Sequence, residues 1–292
     1  MVLFIRLLKS YIFLACIEII AILNFHCMKI SIITPTFNSE KTIEKNVESI
    51  LKQSYKDFEH IIIDNLSSDK TITIIKNLYK DLPSNLRIIS EKDSGISDAF
   101  NKGIKCATGD IITILNSDDY FYSDNIFEQV IDGFTKKQLL VFHGDLLFND
   151  PKYGSYIRKP YSINTFKTMP LNHPTMFVKK EVYSTVGMFD VAFRYSMDFE
   201  FYCRMYKHYP DLSKKLFYFD KNPVVIMNAG GESWANEKLS ILEVKSALKM
   251  HGLNNFKLAG QVQLRLLRTY LKSIFEKTGF TFLVRLWRKI IH

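Results

Sequence analysis

Apolar and polar positions follow two alternating periods along the first half of the chain. "MKISIITPTF" (28–37) is a short β-rich run that stops at Pro35. In "EKTIEKNVESILKQS", which follows, Ile43, Val47, Ile50 and Leu51 share one helical face. "FEHIIID" (Phe58–Asp64) then reads as a strand that ends in an acid. "SSDKTITIIKNLYK" predicts a helix with Ser67, Ser68 and Asp69 as cap candidates. The same alternation continues through "LRIIS", a strand, and "GISDAFNKGIKCATG", a helix closed by Gly109. "DIITILN" is the next strand, "SDNIFEQVIDGF" a helix and "LLVFHG" a strand.

Such alternation predicts an α/β fold with a mostly parallel sheet covered by helices on both faces. Ligands of these sheets bind at the carboxyl ends of the strands. Three strands end there in acids: Asp64, then Glu91 and Asp93, then Asp118 and Asp119. Carboxylates gathered on one edge repel one another unless a cation or sugar hydroxyls meet them. The pattern changes after about residue 150. "PKYGSYIRKPYS" looks like a hairpin, and "HPTMFVKKEVYSTVGMFD" gives a strand and a short helix. "MDFEFYCRMYKHY" is an amphipathic helix, "NPVVIMNAGGES" runs from a strand into a Gly-rich loop, and the rest is helical. The expected organisation is an apolar segment over 1–27, one catalytic domain over 28–233 and a basic helical tail over 234–292.

Composition narrows the class. The chain is 47% hydrophobic with 23 Phe and 15 Tyr, which suits a folded domain. A net charge of +9 points to an anionic partner: a membrane surface, a nucleic acid or a phosphorylated ligand. Much of that charge lies in Phe256–His292, where eight basic residues stand against the single acid Glu276. Bulky apolar residues interleave with them, as on a helix that lies against an anionic leaflet; a solvated helix packed on the domain is the other reading. None of Cys16, Cys27, Cys106 and Cys203 is at C-x-x-C spacing, so a reducing compartment fits better than a zinc site or a disulfide framework. "YIFLACIEIIAILNF" (11–25) admits three readings: a signal peptide without an evident cleavage site, a short membrane anchor interrupted by Glu18, or a segment ahead of a true start at Met28.

Four stretches carry the chemistry in a fixed order: "ISIITPTFNSEKTIEKNVESILKQS", "HIIIDNLSSDKT", "NSDD" and "SMDFEFYCRM". Together they resemble the opening strand and helix, the nucleotide segment "VDDGSTDGT", the acidic metal motif and the "EDxDLWLR" segment of the family 2 glycosyltransferases, which have the GT-A fold. The resemblance covers roughly 28–231, and "SEKDSGISDAFNKGI" is similar to the branch that works on bacterial polysaccharides. Two positions depart from the pattern. Asn65 stands where a second acid is usual, and Met197 replaces the Glu before the base.

The resemblance implies a GT-A sheet flanked by helices and an inverting transfer. The donor is a nucleotide-diphosphate sugar, and the acceptor is a hydroxyl of a saccharide or lipid-linked molecule. The setting it implies is bacterial cell-surface polysaccharide synthesis at the inner face of the cell membrane. It makes Asp198 the base and puts Asp119 on a divalent cation, Mn²⁺ or Mg²⁺, with Asp118 beside it on the donor. It places Pro35, Thr36 and Asn38 against base and ribose, Asp64 on the uracil or ribose edge, and Asp93 on ribose or sugar. His173 would face the diphosphate or the acceptor, or be structural; Lys102 reads as a solvated lysine or a phosphate contact.

Elementary chemistry agrees with the acid pair. The leaving nucleoside diphosphate gains charge as the glycosidic bond breaks, and a bridging cation stabilises it. Mg²⁺ and Mn²⁺ take oxygen ligands and borrow several from phosphates and water, so one or two carboxylates suffice. Ser117, Asp118 and Asp119 are also turn and cap residues; the ordered set of motifs favours the chemical reading. A pyrophosphorylase or a dinucleotide oxidoreductase needs glycines after the first strand, and "TPTFNSEKT" has none. A nucleic-acid partner fits poorly, since the basic residues gather in the tail rather than with aromatics on a strand face. A non-catalytic membrane scaffold is the rival from another class, but it has no need of Asp118, Asp119 and Asp198.

Overall fold

The computed structural model describes residues 28–151, 154–230 and 236–278. The apolar run before Met28, Gly231–Ser233 of the Gly-rich loop and the chain from 279 onward lie outside the described residues.

The alternation read in the first half is present. Strands β1 (Ile30–Thr36), β2 (Phe58–Asp64), β3 (Leu86–Ser90), β4 (Ile111–Ile114) and β6 (Val141–Gly144) are separated by helices α1 (Ile43–Leu51), α2 (Thr71–Leu78), α3 (Ile96–Cys106) and α4 (Ile126–Lys136). β5 is a two-residue strand, Tyr120–Phe121, directly after the acid pair. Beyond it come β7 (Leu146–Asp150), β8 (Gly154–Arg158), β9 (Phe177–Lys179), α5 (Lys180–Val186), α6 (Met197–His208), α7 (Leu212–Lys215), β10 (Leu216–Phe219), β11 (Val225–Asn228), α8 (Glu237–Met250) and α9 (Phe256–Lys277).

One sheet has the order β10-β6-β9-β4-β1-β2-β3. Every pairing in it is parallel except at β9, which runs antiparallel to both β4 and β6. β1 and β2 are covered on both faces, so their apolar runs are nearly continuous rather than alternating. α3 crosses β1 at close range: a Cβ on Gly103 would sit 2.3 Å from Cγ2 of Ile33. A side chain at 103 would push the helix off the sheet. A second, smaller sheet, β5-β11-β7-β8, was not foreseen from the sequence. Its strands are short, and β5 is too short to show a period.

The core continues past the catalytic segment. Ile241, Val244, Ala247 and Leu248 of α8 and Leu258 and Val262 of α9 are buried in the same cluster as Ile33, Ile61, Phe199 and Met205. α8 packs on α6 and α9 packs on α8, so both C-terminal helices share the core of the main domain.

Candidate active site

The carboxyl edge of the sheet is tied together by Asp64. Thr36, Asp64 and Ser90 end three neighbouring strands in register. The fully buried Asp64 carboxylate accepts from Thr36 Oγ1 (3.1 Å), Ser67 Oγ (2.5 Å), Ser90 Oγ (2.6 Å) and the Ser67 amide (3.1 Å). Its acceptor positions are taken by the protein, so a nucleotide contact there has to displace a hydroxyl. The loops after β1 and β2 are laced to each other. Asn38 lies in the left-handed region (φ +49°), which Asn tolerates. Its Oδ1 accepts from the Ser68 amide at 2.9 Å and its own amide donates to Ser67 Oγ at 2.9 Å. The Glu40 amide donates to Asp69 (3.0 Å) and the Lys70 amide to Glu40 (3.1 Å). Pro35, Thr36, Asn38 and Asp64 thus form one wall.

Asp93 joins that wall through Asn65, whose side-chain oxygen accepts from the Asp93 amide at 3.0 Å. The unusual Asn therefore has a local role as an acceptor. Asp93 itself accepts from the Gly95 amide (2.9 Å) at the start of α3. Lys102 is committed elsewhere, to Glu91 at 2.8 Å, Asp98 at 3.6 Å and the Lys92 carbonyl at 2.7 Å.

Asp118 and Asp119 sit where the chain leaves β4 for β5, crossing from one sheet to the other. The crossing is pinned through its backbone. Asn46 on α1 donates to the Asn116 and Asp119 carbonyls, both at 2.9 Å. Asn228 on β11 donates to the Asp118 carbonyl at 2.6 Å, and Ser117 Oγ lies 2.9 Å from Ser39 Oγ. The side chain of Asp119 is left unmet. It is 1% exposed, and neither carboxylate oxygen has a hydrogen-bonding partner. Burial pushes its pKa well above the ordinary carboxylate value and Asp118 adds to this. The Asn228 amide and the Asn116 side chain oppose it from positions short of hydrogen-bond geometry. Asp118 is also raised by burial.

An uncompensated buried carboxylate is costly. Beside it, the side-chain oxygens of Asn46 and Asn116 are also buried without partners. Hard oxygens in this arrangement fit a divalent cation such as Mg²⁺ or Mn²⁺. Among the described residues no third His, Cys, Asp or Glu completes a protein cage. That suits ions that keep waters and bind substrate phosphates.

Asp198 lies near enough to His173 for its charge to act on the ring. His173 opens a 3₁₀ turn, His173–Thr175, which packs against both β4 and β11. Its ring stacks on Phe100 (centroids 5.7 Å apart, 25° between planes) and meets Phe189 edge-on at 6.0 Å. Burial lowers its pKa, and the nearby Asp198 carboxylate works against that shift. Asp198 lies in the first turn of α6, half-buried, with Oδ1 accepting from the Phe199 amide at 2.8 Å. Its other oxygen has no partner among the described residues.

The turn before α6 is held by α8. Glu243 accepts from the amides of Arg194 (2.9 Å), Tyr195 (2.8 Å) and Ser196 (2.8 Å). Ser196 Oγ lies 2.8 Å from Ser240 Oγ and also donates to the Ser240 carbonyl at 3.0 Å. In the same first turn of α6, Glu200 is paired with Arg204 (2.8 Å) and with His251 (2.9 Å). The base candidate thus rests on a segment some 45 residues later in the chain. Sequence reading missed Glu243, Ser240, Asn46 and Asn228. Only Asn46 carried a signal, as a polar residue on the same face as Ile43 and Ile50. A cleft of about 370 Å³ lined by Thr185, Val186, Arg204, Lys207, His208 and His251 contains none of the candidate residues.

Residues 31–198 match the family model described as Glycosyl transferase family 2. The chain is 26% identical over 237 residues to an uncharacterized glycosyltransferase of Rickettsia typhi, covering 77% of this chain and 71% of that one. It is also 26% identical over 187 residues to a PGL/p-HBAD biosynthesis glycosyltransferase of Mycobacterium bovis, covering 61% and 70%. In fold it is similar to S. aureus TarS 1-349 in complex with UDP-GlcNAc (TM-score 0.62, 19% identity, 90% of this chain and 78% of that one). It is likewise similar to the mannosyltransferase PcManGT from Pyrobaculum calidifontis in complex with GDP-Man and Mn²⁺ (TM-score 0.60, 14% identity, 90% and 84%). Since the family model spans more than half of its length, the chain belongs to glycosyltransferase family 2.

Proposed function

We propose that this glycosyltransferase moves a sugar from a nucleotide-diphosphate sugar to a hydroxyl of a saccharide or lipid-linked acceptor, with inversion, in the assembly of a bacterial cell-surface polysaccharide. The observation that carries this reading is the buried Asp119 carboxylate, unmet beside Asp118 at the mouth of the sheet. The complexes of the two structural neighbours, with UDP-GlcNAc and with GDP-Man and Mn²⁺, support a nucleotide-sugar donor.

Asp119 and Asp118 would hold the cation, which neutralises charge on the departing diphosphate when bound. The wall of Pro35, Thr36, Asn38, Asp64 and Asp93 takes the nucleoside and sugar. Asp198, with one oxygen free, accepts the proton of the acceptor hydroxyl as that oxygen bonds to the anomeric carbon. The bond to the diphosphate breaks on the opposite face, so the anomeric centre inverts. His173, beside Asp198 and held neutral by burial, lines the acceptor side. Asp198→Asn keeps the shape and removes the proton acceptor. It should fold, bind the donor near-normally and lose turnover by at least ~10²-fold. Retained turnover would assign Asp198 to structure.

The enzyme works at the inner face of the cell membrane in this reading. Leu264, Leu267, Leu271 and Ile274 form an exposed stripe on α9, with Phe256, Lys257 and Arg268 also exposed. Among the described residues no helix is long and apolar enough to cross a membrane. Such a stripe suits surface binding. The full chain should sediment with phosphatidylglycerol vesicles, less so as salt rises, and Leu267→Asp with Leu271→Asp should weaken this. Binding that ignores both changes would remove α9 from the membrane contact.

A further inference from the structure

The stretch between α5 and α6, residues 187–196, delivers the chain to Asp198 and is held from three sides. Arg204 on α6 holds its beginning, donating to the Gly187 carbonyl at 2.9 Å and the Met188 carbonyl at 2.7 Å. α3 holds its middle. Asn101 donates to the Phe189 carbonyl (2.8 Å) and accepts from the Phe189 amide (2.9 Å), and Ser97 Oγ donates to the Phe193 carbonyl (2.7 Å). α8 holds its last three residues. Glu243 Oε1 accepts from the Arg194 amide, and Oε2 accepts from the amides of both Tyr195 and Ser196.

Ser196 stands at the N-cap of α6, where a serine hydroxyl would ordinarily accept from an amide of the first turn. It makes no such bond. Its Oγ is turned to α8 instead, 2.8 Å from Ser240 Oγ and donating to the Ser240 carbonyl. The start of α6 is therefore set from another helix rather than by its own cap. α8 also reaches the far side of Asp198. His251, at the C-cap of α8, has Nε2 2.9 Å from Glu200 Oε1. The contacts at Ser196 and Glu200 bracket Asp198 at two residues on either side.

The two contacts are unequal. Glu200 has Arg204 as well as His251. Glu243 is half-buried and has no cation within 4.0 Å among the described residues. Its charge is spent on backbone amides at a helix N-terminus, where charge-assisted bonds and the macrodipole both favour it. Two oxygens on three successive amides fix the path of that backbone. The Asp198 carboxylate is tied to its own helix through the Phe199 amide, so its aim follows the aim of the helix start.

We propose that Glu243 is a positioning residue for the transfer: with Ser240 it fixes the turn that aims Asp198, which makes α8 a working part of the active site. This rests on the reading of Asp198 as the base. A carboxylate that only stabilised α6 would change folding and leave the aim of Asp198 alone.

The test has a kinetic and a structural arm. The first measures release of nucleoside diphosphate by the full chain with Mn²⁺, from UDP-GlcNAc or GDP-Man, with water as the acceptor. Glu243→Ala should lower kcat by about 10-fold or more with donor KM within about two-fold, since a misplacement of about 1 Å can cost up to ~10²-fold. Glu243→Gln keeps one acceptor oxygen and should restore part of the rate. Should Glu243→Ala fail to fold, the near-isosteric Glu243→Gln carries the same comparison. Added to Asp198→Asn, either change should alter the residual rate by less than about two-fold, because the two residues act as one unit. Losses that multiply in full, or an unchanged kcat, overturn the proposal. The second arm compares crystal structures of wild type and variant, and it reports even when neither donor turns over. The Asp198 carboxylate should be displaced by about 1 Å in the variant; an unmoved carboxylate overturns the proposal. Asp198→Asn that keeps turnover fails the base reading and the proposal with it. Asp198→Asn that loses turnover while Glu243→Ala keeps it fails the proposal alone.

Discussion

Two buried carboxylates of this enzyme are treated in opposite ways. Glu59 lies near the start of β2 and Asp119 beyond the end of β4, towards opposite edges of the main sheet. They are 9% and 1% exposed. Glu59 Oε1 accepts from Ser31 Oγ (2.6 Å), the Thr108 amide (2.6 Å), Thr108 Oγ1 (2.8 Å) and the Gly109 amide (3.2 Å), with Lys29 3.7 Å from Oε2. Burial alone would raise its pKa, but these hydrogen bonds and Lys29 outweigh it and the net shift is downward. Asp119 has no such partners and is raised well above its ordinary value, chiefly by burial. A buried charge that serves the fold is met by the fold. In the proposed reading, the acid that the fold leaves unmet is the one that meets the cation, and its burial costs stability until it does.

Removing the unmet charge should have the largest effect on activity and the opposite effect on stability. Asp119→Asn should lower transfer by roughly 10²–10³-fold, the scale for losing one element of transition-state charge stabilisation. In metal-free buffer its melting temperature should rise by a few degrees, because a desolvated charge is gone. Steady-state assays with Mn²⁺ and a thermal melt with chelator check both. A variant that stays active but melts lower would make Asp119 a structural acid like Glu59.

The reverse change sharpens the comparison. Glu59→Ala takes the acceptor from the Ser31 and Thr108 hydroxyls and the Thr108 amide, while the Gly109 amide keeps Ser31 Oγ at 2.9 Å. The expected cost is about 3 kcal/mol, on the scale of breaking a buried charged network. Denaturant unfolding measures it, and kcat/KM per folded molecule should stay near that of the wild type. A large loss of kcat/KM with unchanged stability would erase the distinction between the two acids.

Much of the main sheet and both acidic ends were legible because local rules govern them. The 3.6-residue and continuous apolar patterns of β1 to β4 and α1 to α4 report burial directly, and strand ends locate the carboxyl edge. The lacing of Asn38 to Ser67 and Ser68 lies within stretches already singled out. What escaped is nonlocal. The second sheet depends on β5, two residues long, finding β11 a hundred residues later. Glu243 supports the turn before Asp198 from α8, in a segment that reads only as a basic helical tail. In each case the pairing is set by tertiary packing, which leaves no period in the sequence.

The smallest effect to look for is the pH dependence of stability, where the two acids should pull in opposite directions. Glu59 has a folded pKa below its ordinary 4.5. Its contribution is present above that value and is lost as pH falls through the lower folded value. Asp119 has a folded pKa well above 3.8, so the folded protein keeps a proton that the unfolded chain has released. Its contribution is full below 3.8 and is lost as pH rises through the raised folded value. Denaturant unfolding in chelator from pH 4 to pH 8 should therefore show the gain from Asp119→Asn growing with pH. The loss from Glu59→Ala should instead shrink at the acid end. Mn²⁺ in excess should stabilise the wild type more at the alkaline end, where Asp119 is ionised and ready to bind, and should leave Asp119→Asn nearly unmoved. Equal slopes for the two variants, or equal Mn²⁺ stabilisation of wild type and Asp119→Asn, would show that Asp119 is not the acid the fold holds in reserve.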